Sequence, residues 1–551
     1  MRLAAEVRPV TRARALAEAY QLLAEVESAD QKVVTDLIVS PQFGAWAADC
    51  VYRLRAGQAG EAPLSTDLGQ LAAVAATAAF RTGRAFELDV PLRCGAITFP
   101  GLGTARPGAR TPWEWGRVDQ DARGRRVRSS VTTVRVPVDG ERAAAGGPWT
   151  ALPRLTAEAR GLRLEVTLDS HDPFLDRYGV ARPRMTASEV ARWRGLFGDA
   201  WRVLTAGNYA LAELIAATAR TLVPLSTPSP TRSVSATETS SFGAIGMSLP
   251  RDALAMAEVL VHESHHAVLG AVTDIVPMFR AARIPLTYAP WREDPRPVSA
   301  LLQGVYTHYG IARFWRHQRR TGAPEQRFRA DVEFGRWRAL TTQVADRLAR
   351  WDALTESGAC FLGAIRARLA EWRDEPVSAT AADQGADLSL EHRARWRLRH
   401  LVPDRAAVDS LAAAWHRGAR PPVPPAAVAV TLEPGPLPAP ADNARAYLLT
   451  LRHQDPAALR EVSARPCADP ADVALAAGDY AVAAGGYRSR IDGGDDVDAW
   501  AGLAVASRHT GPGRAARLLA ERPEVAAALY RRLRGGGVSA GALLAWLAEG
   551  A

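Results

Sequence analysis

The chain has 551 residues, 48% of them hydrophobic and 23% charged, with a formal net charge of +9. At roughly 150 residues per domain this length predicts two to four domains of ordinary globular composition. No window approaches the roughly 18 uninterrupted apolar residues of a bilayer span, and MRLAAEVRPVTRARAL carries charges where a signal peptide needs an apolar core, so a cytoplasmic protein with no membrane partner is expected.

Nearly all of the positive charge is arginine, Lys32 being the only lysine. With abundant alanine this reflects a GC-rich coding bias more than a nucleic-acid partner, and none is expected. Arg123, Arg125, Arg126 and Arg128 are read as a solvated loop. Cys50, Cys94, Cys360 and Cys467 are far apart with no CxxC pair, which excludes a disulfide framework and a thiolate cluster and leaves them as buried small side chains.

Residues 11 to 83 carry helical patterns, and in LAAVAATAAFRTG apolar residues cover the whole circumference, as in a buried helix. From FELDVPLRCGAITFPGLG to GLRLEVTLDSHDPF, about 86 to 175, the period shortens and Gly and Pro multiply, which predicts strands. A helical pair follows, EVARWRGLFGDAWRVLTAG and NYALAELIAATARTLV, and then short strands in SVSATETSSFGAIGMSLP. A helix is predicted from near Pro250 to before Pro277, and another from about Pro297 to His317.

RPPVPPAAVAV and LEPGPLPAPAD, 420 to 442, read as a linker. Beyond it GDYAVAAGGYRSRIDGGDDVDAWAGLAVA resembles one tetratricopeptide-type hairpin, with Ala483, Tyr487, Trp500 and Leu503 where the helices interlock. The expected class is α+β and mainly helical, with a C-terminal helical domain. The expected divisions are 1–205, helical and β-rich; 206–419, catalytic; the linker; and 443–551.

The helix from Pro250 contains VLVHESHH, an H-E-x-x-H motif. Residues four apart on a helix differ by about 40° in azimuth, so His262 and His266 present their imidazoles to one point as ligands for zinc, iron or copper. His265 lies about 100° from His266 and is expected to pack or to support. A catalytic site needs a third ligand. The metzincin continuation is absent, because Leu269 and Val272 stand where its glycine and third histidine belong. Glu333 in RADVEFGRW is the candidate for a thermolysin-like zinc site. His308 in LLQGVYTHYGIARFW is the better candidate, with Gly304 one turn earlier expected to let the two helices approach closely; His317 falls on the opposite side.

HESHHAVLGAVTDIVPMF, YAPWREDPRPVSALLQGVYTHYGIARFW, PQFGAWA and SSFGAIGMSLP together resemble the α-ketoglutarate-dependent HExxH-type peptide β-hydroxylases of ribosomal peptide pathways. The resemblance covers roughly residues 35 to 320 and continues more weakly beyond. It implies Fe(II), with α-ketoglutarate and O2 as cosubstrates and a ribosomal precursor peptide as substrate. Family members also occur fused to or beside radical SAM maturases, which makes such an enzyme a candidate partner. Three protein ligands would leave octahedral positions for the keto acid and oxygen, although three histidines depart from the usual two-His-one-carboxylate set.

The distal carboxylate of the keto acid calls for an arginine fork, and Arg292 and Arg296 in PWREDPRP are the candidates, their alternative being pairing with Glu293 or Asp294. Glu263 would be the general base in a peptidase and an orienting group in an oxygenase. Gln303 is a polar candidate about 140° from His308. SSFGAIGMS could pair edge to edge with a peptide, which makes Ser240 and Ser241 substrate candidates. His171, Asp172 and Asp176 in HDPFLDRYG are read as a structural turn. No nucleophile elbow or P-loop is present. Two other readings stay open: an HExxH zinc peptidase, and a non-catalytic peptide-binding scaffold.

Overall fold

The computed structural model describes residues 10–57, 62–138, 147–176, 182–183, 185–227, 233–280, 284–433, 444–465, 468–494, 496–511 and 513–549. The protein is mainly helical with several small sheets, an α+β fold. Its contacts resolve into two compact units, 1–272 and 273–551. These cut across the sequence-based divisions at 205 and 419, and each is built around its own core.

In the first unit the helix Gln70–Thr82 is buried without interruption from Ala72 to Phe80, as its all-round apolar pattern requires. Helices Val10–Ala29 and Gln31–Ile38 pack into the same core. So does an antiparallel sheet ordered Phe86–Arg93, Trp113–Asp121, Gly124–Arg128 and Thr133–Val136. Period-two alternation turns Leu88, Val90 and Leu92 inward. Of the arginine cluster, Arg123 lies in a turn while Arg125, Arg126 and Arg128 belong to a strand: Arg126 pairs with Asp119 and Asp121, and Arg128 with Glu87 and Asp119.

A second, mixed sheet is ordered Ser235–Ala236, Ala244–Met247, Thr221–Pro224, Leu162–Leu168 and Arg154–Ala159. Leu162–Leu168 runs parallel to Thr221–Pro224, so the connection must cross over; helices Ala187–Gly207 and Tyr209–Thr218 make that crossover. Thr186 and Glu189 start the first of them with a reciprocal capping box. Ala244–Met247 is flanked by a strand on each side. It is not the exposed edge that pairing with an extended peptide needs; the short strand Ser235–Ala236 holds that edge.

In the second unit helices Val298–Thr321 and Pro324–Leu348 form a hairpin, and Ala379–His400 packs against both the hairpin and Val497–His509. Leu388, Leu398, Leu411, Leu449, Leu475, Tyr487, Trp500 and Leu529 share one core, so the C-terminal helices are not a separately cored domain. Part of the expected linker is ordered: Val430–Leu432 pairs with Leu401–Pro403, while 434–442 lie outside the described residues. Ala483, Tyr487, Trp500 and Leu503 are fully buried in the hairpin of Tyr480–Gly493 with Val497–His509. A Cβ on Gly502 would lie 2.4 Å from the Tyr487 ring, so only glycine lets these helices close.

Of the cysteines, only Cys50 is buried as expected; Cys94, at a positive φ in a tight turn, and Cys360 are exposed, and Cys467 lies outside the described residues. Among the described residues no helix is long and apolar enough to cross a membrane.

Candidate metal centre

The motif lies on the helix Ala253–Ile275, within the limits set by Pro250 and Pro277. Asp252 starts it by accepting a hydrogen bond from Ala255 N at 2.7 Å. One face is driven into the unit by Leu254, Ala257, Leu260, Val261, Ser264 and Leu269. His265 goes with that face: it is buried, and its Nδ1 donates to the Val261 carbonyl at 2.7 Å. His262 and His266 instead remain half-buried and come together, with ring centroids 4.7 Å apart and planes at 75°. That is the arrangement of two imidazoles that one rigid helix offers to a single ion.

Gly270 stands four residues beyond His266 on the same face. Its lack of a side chain admits the turn Thr239–Ser241, since a Cβ there would lie 3.0 Å from the Thr239 methyl. Gly44 of the helix Pro41–Ala56 meets the same turn from another direction: its Cβ would stand 2.7 Å from the Ser240 carbonyl. Thus PQFGAWA, SSFGA and HESHH, distant in sequence, meet in space. Ser240 Oγ and Ser264 Oγ are buried without hydrogen-bond partners. Ser241 donates its hydroxyl to the Glu238 carbonyl within the turn at 3.3 Å.

Glu263 is 1% exposed. Its Oε2 accepts a 2.5 Å hydrogen bond from Thr237, Ser235 also bonds to it, and Oε1 stands 3.9 Å from His262 Nε2. Burial raises its pKa above the ordinary carboxylate range, against the opposing influence of His266, Thr237 and Ser235. Ser235 in the edge strand and Thr237 just after it both reach this carboxyl. The alternating hydroxyls of SVSATE were the available signal for them, read only as strand propensity.

In the second unit His308 lies on the helix Val298–Thr321, 4% exposed, with its Nδ1 donating to the Gly304 carbonyl at 2.9 Å. With the Nδ1 proton donated to that carbonyl, Nε2 is the ring nitrogen that carries the lone pair. The Trp291 ring stacks on the imidazole at 4.5 Å and 15°, and Trp337 closes it from another side at 4.5 Å. A Cβ on Gly304 would stand 2.2 Å from the Trp291 indole, so this glycine makes room for Trp291. Trp291 and Trp337 were missed in the sequence because their role rests on packing.

Arg292 and Arg296 are both turned onto Asp294, at 2.9 and 2.8 Å. Against the effect of burial, their hydrogen bonds hold that carboxyl below its ordinary pKa. Each guanidinium thus already holds a carboxylate, the protein's own. Glu293 is taken by Arg395 and Arg399. Gln303 is half-buried on the His308 helix, and Glu333 half-buried on Pro324–Leu348. Asp169 and Asp172 organise the HDPF turn: Asp169 accepts from the His171 and Asp172 amides, and Asp172 from that of Phe174.

Comparison with known proteins yields no matching family model and no matching curated protein.

Proposed function

We propose that the protein is an Fe(II)- and α-ketoglutarate-dependent oxygenase that hydroxylates the β-carbon of a residue in a ribosomally synthesised precursor peptide, in the cytoplasm and in company with a radical SAM maturase. The observation that carries a metal is the pair of half-buried imidazoles, 4.7 Å apart on one face while His265 is turned inward. What favours oxidation over hydrolysis is the company of that pair: PWREDPRP and QGVYTH follow it, and the metzincin continuation is missing. Bound iron would supply the oxidising chemistry, one oxygen atom going to the peptide and the other to the succinate left when α-ketoglutarate loses CO2.

The chain's own residues bind and orient. His262 and His266 hold the ion, and His308 is proposed as the third ligand because its Nδ1 is already committed to a carbonyl. Arg296 and Arg292 are proposed for the distal carboxylate of the keto acid, in exchange for Asp294. Ser240 and Gln303 are proposed for the peptide or cosubstrate. Glu263, anchored by Ser235 and Thr237, orients a ligand, a water or a substrate amide.

A zinc peptidase is the second reading, and one distance favours it: Glu263 Oε1 lies 3.9 Å from His262 Nε2, within reach of a water on an ion held there. Glu333 would then be the third ligand. The test is incubation of anaerobically reconstituted protein with a candidate precursor, α-ketoglutarate and oxygen. A gain of one oxygen atom in the peptide, matched by succinate, supports the oxygenase. Peptide cleavage that needs neither cosubstrate overturns it in favour of the peptidase.

A further inference from the structure

A cavity of about 330 Å³ lies wholly within the second unit, between Pro324–Leu348 and Ala379–His400. Leu340, Leu390 and Ala386 give it apolar walls, and Tyr288, Gln343 and Arg393 add polar groups. Among the described residues no carboxylate lines it. Arg508 also borders it but is held by Asp383 and Asp387, and Ser389 donates its hydroxyl to the Gly385 carbonyl at 2.7 Å.

Two guanidiniums here have no counter-charge. Arg393 donates to the Ala520 carbonyl at 3.2 Å and Arg336 rests over the Trp337 ring at 4.5 Å; among the described residues neither forms an ion pair. Arg336 is half-buried, and a cation drawn out of water without an anion is costly. Two observations place Arg336 at the cavity. Arg336, Leu340 and Gln343 follow at i, i+4 and i+7 on one face of their helix, and a Cβ on Gly385, next to Ala386 in the chain, would stand 3.5 Å from Arg336 Cβ.

The electrostatics agree. Burial raises the pKa of the Tyr288 hydroxyl, and the charges of Arg336 and Arg393 oppose that rise. Glu293 and Glu391 act on Tyr288 in the other sense, but Arg395 and Arg399 take the first, and Arg395 and Arg445 the second. His392 shares a 2.9 Å hydrogen bond with the Tyr288 hydroxyl, and burial together with Arg336, Arg395 and Arg399 pushes it down to about 3. Positive charge therefore prevails at this end of the cavity.

We infer that the cavity binds an aliphatic carboxylate, with its charge at Arg336 and Arg393 and its chain against Leu340 and Leu390. The planar guanidinium fork suits a carboxylate. Ligand sites span roughly 300–1,000 Å³, so a cavity at the lower end suits a small acid or the C-terminal residue of a peptide. Gln343, which makes no hydrogen bond among the described residues, remains for a backbone amide of the longer ligand. The site uses none of the HExxH residues and goes beyond the oxygenase reading.

The experiment is calorimetric titration of the full-length protein, with EDTA present, using isocaproate and an acetylated tripeptide ending in leucine, each beside its amide. The acids are expected to bind at one site per chain and the amides about tenfold or more weakly, and Arg336→Gln is expected to reproduce that loss. Arg393→Gln, on the exposed guanidinium, serves the same purpose if Arg336→Gln does not fold. Tighter binding of the tripeptide acid identifies a peptide C-terminus as the occupant, and equal or weaker binding a free small acid. Binding of neither acid, or binding undiminished by amidation or by these substitutions, overturns the proposal.

Discussion

Gly304→Ala is the substitution whose effect follows most directly from the coordinates. The added methyl would stand 2.2 Å from Trp291 Cε2 and Cζ2 and 2.3 Å from Nε1, where carbon atoms normally rest about 3.5–4.0 Å apart. More than an ångström must therefore be found. The helix backbone at 304 is fixed, because Gly304 is buried and its carbonyl receives His308 Nδ1. Trp291 is only half-buried, so the indole is what moves, and it leaves its stack on His308. Overpacking of this kind costs about 1–3 kcal/mol. Urea unfolding followed by far-UV circular dichroism measures it, with Trp291→Ala and the double variant completing a cycle. The expected result is that Gly304→Ala destabilises the natural protein yet costs almost nothing more once Trp291 is alanine. Additive losses would refute the assignment of Gly304 to Trp291.

Thr237→Val keeps the shape of the side chain but removes the donor to a buried carboxyl, and is expected to cost about 1–3 kcal/mol, whereas Thr237→Ser keeps stability; equal unfolding midpoints for Thr237→Val and the natural protein would contradict this contact. Burial, reinforced by the charge of Asp169, pushes Asp172 up to about 8. The folded chain then holds a proton that the unfolded chain releases above about 4. This group's contribution therefore declines as pH rises from about 4 to about 8, by at most about 1.4 kcal/mol per unit, and Asp172→Asn flattens that dependence in unfolding measured across the range. Gly502→Ala drives a methyl to 2.4 Å from the fully buried Tyr487 ring and is expected to lower the thermal midpoint, more than an alanine at Gly485, where nothing lies within 4 Å.

Much of the arrangement was legible wherever it depended on local periodicity. Pro250 and Pro277 bracket the motif helix, four-residue spacing placed His262 and His266 together, and a three-residue offset sent His265 inward. The all-round apolar run at 71–80 marked a core helix, and Ala483, Tyr487, Trp500 and Leu503 marked an interlocking hairpin. What depended on distant partners was not legible. Nothing near Gly304 in sequence reveals that an indole thirteen residues earlier fills its empty face. The pairing of Arg292 and Arg296 with Asp294, two residues from each, was by contrast local and was legible as the alternative to a clamp. SSFGAIGMS reads as an edge strand because a sequence does not say how many neighbours a strand has, and Ser235–Ala236 turned out to cover it. The ordered part of the proline-rich segment was hidden for a similar reason: its ribbon partner lies almost thirty residues away.

The measurement that tests the central claim most directly is anaerobic Fe(II) titration with and without α-ketoglutarate, followed by visible absorption, on the natural protein and on His262→Ala and His266→Ala. The account predicts a new charge-transfer absorption that needs both iron and the keto acid and is lost in either variant. Absence of that absorption in the natural protein, together with zinc binding that still requires both histidines, would contradict it.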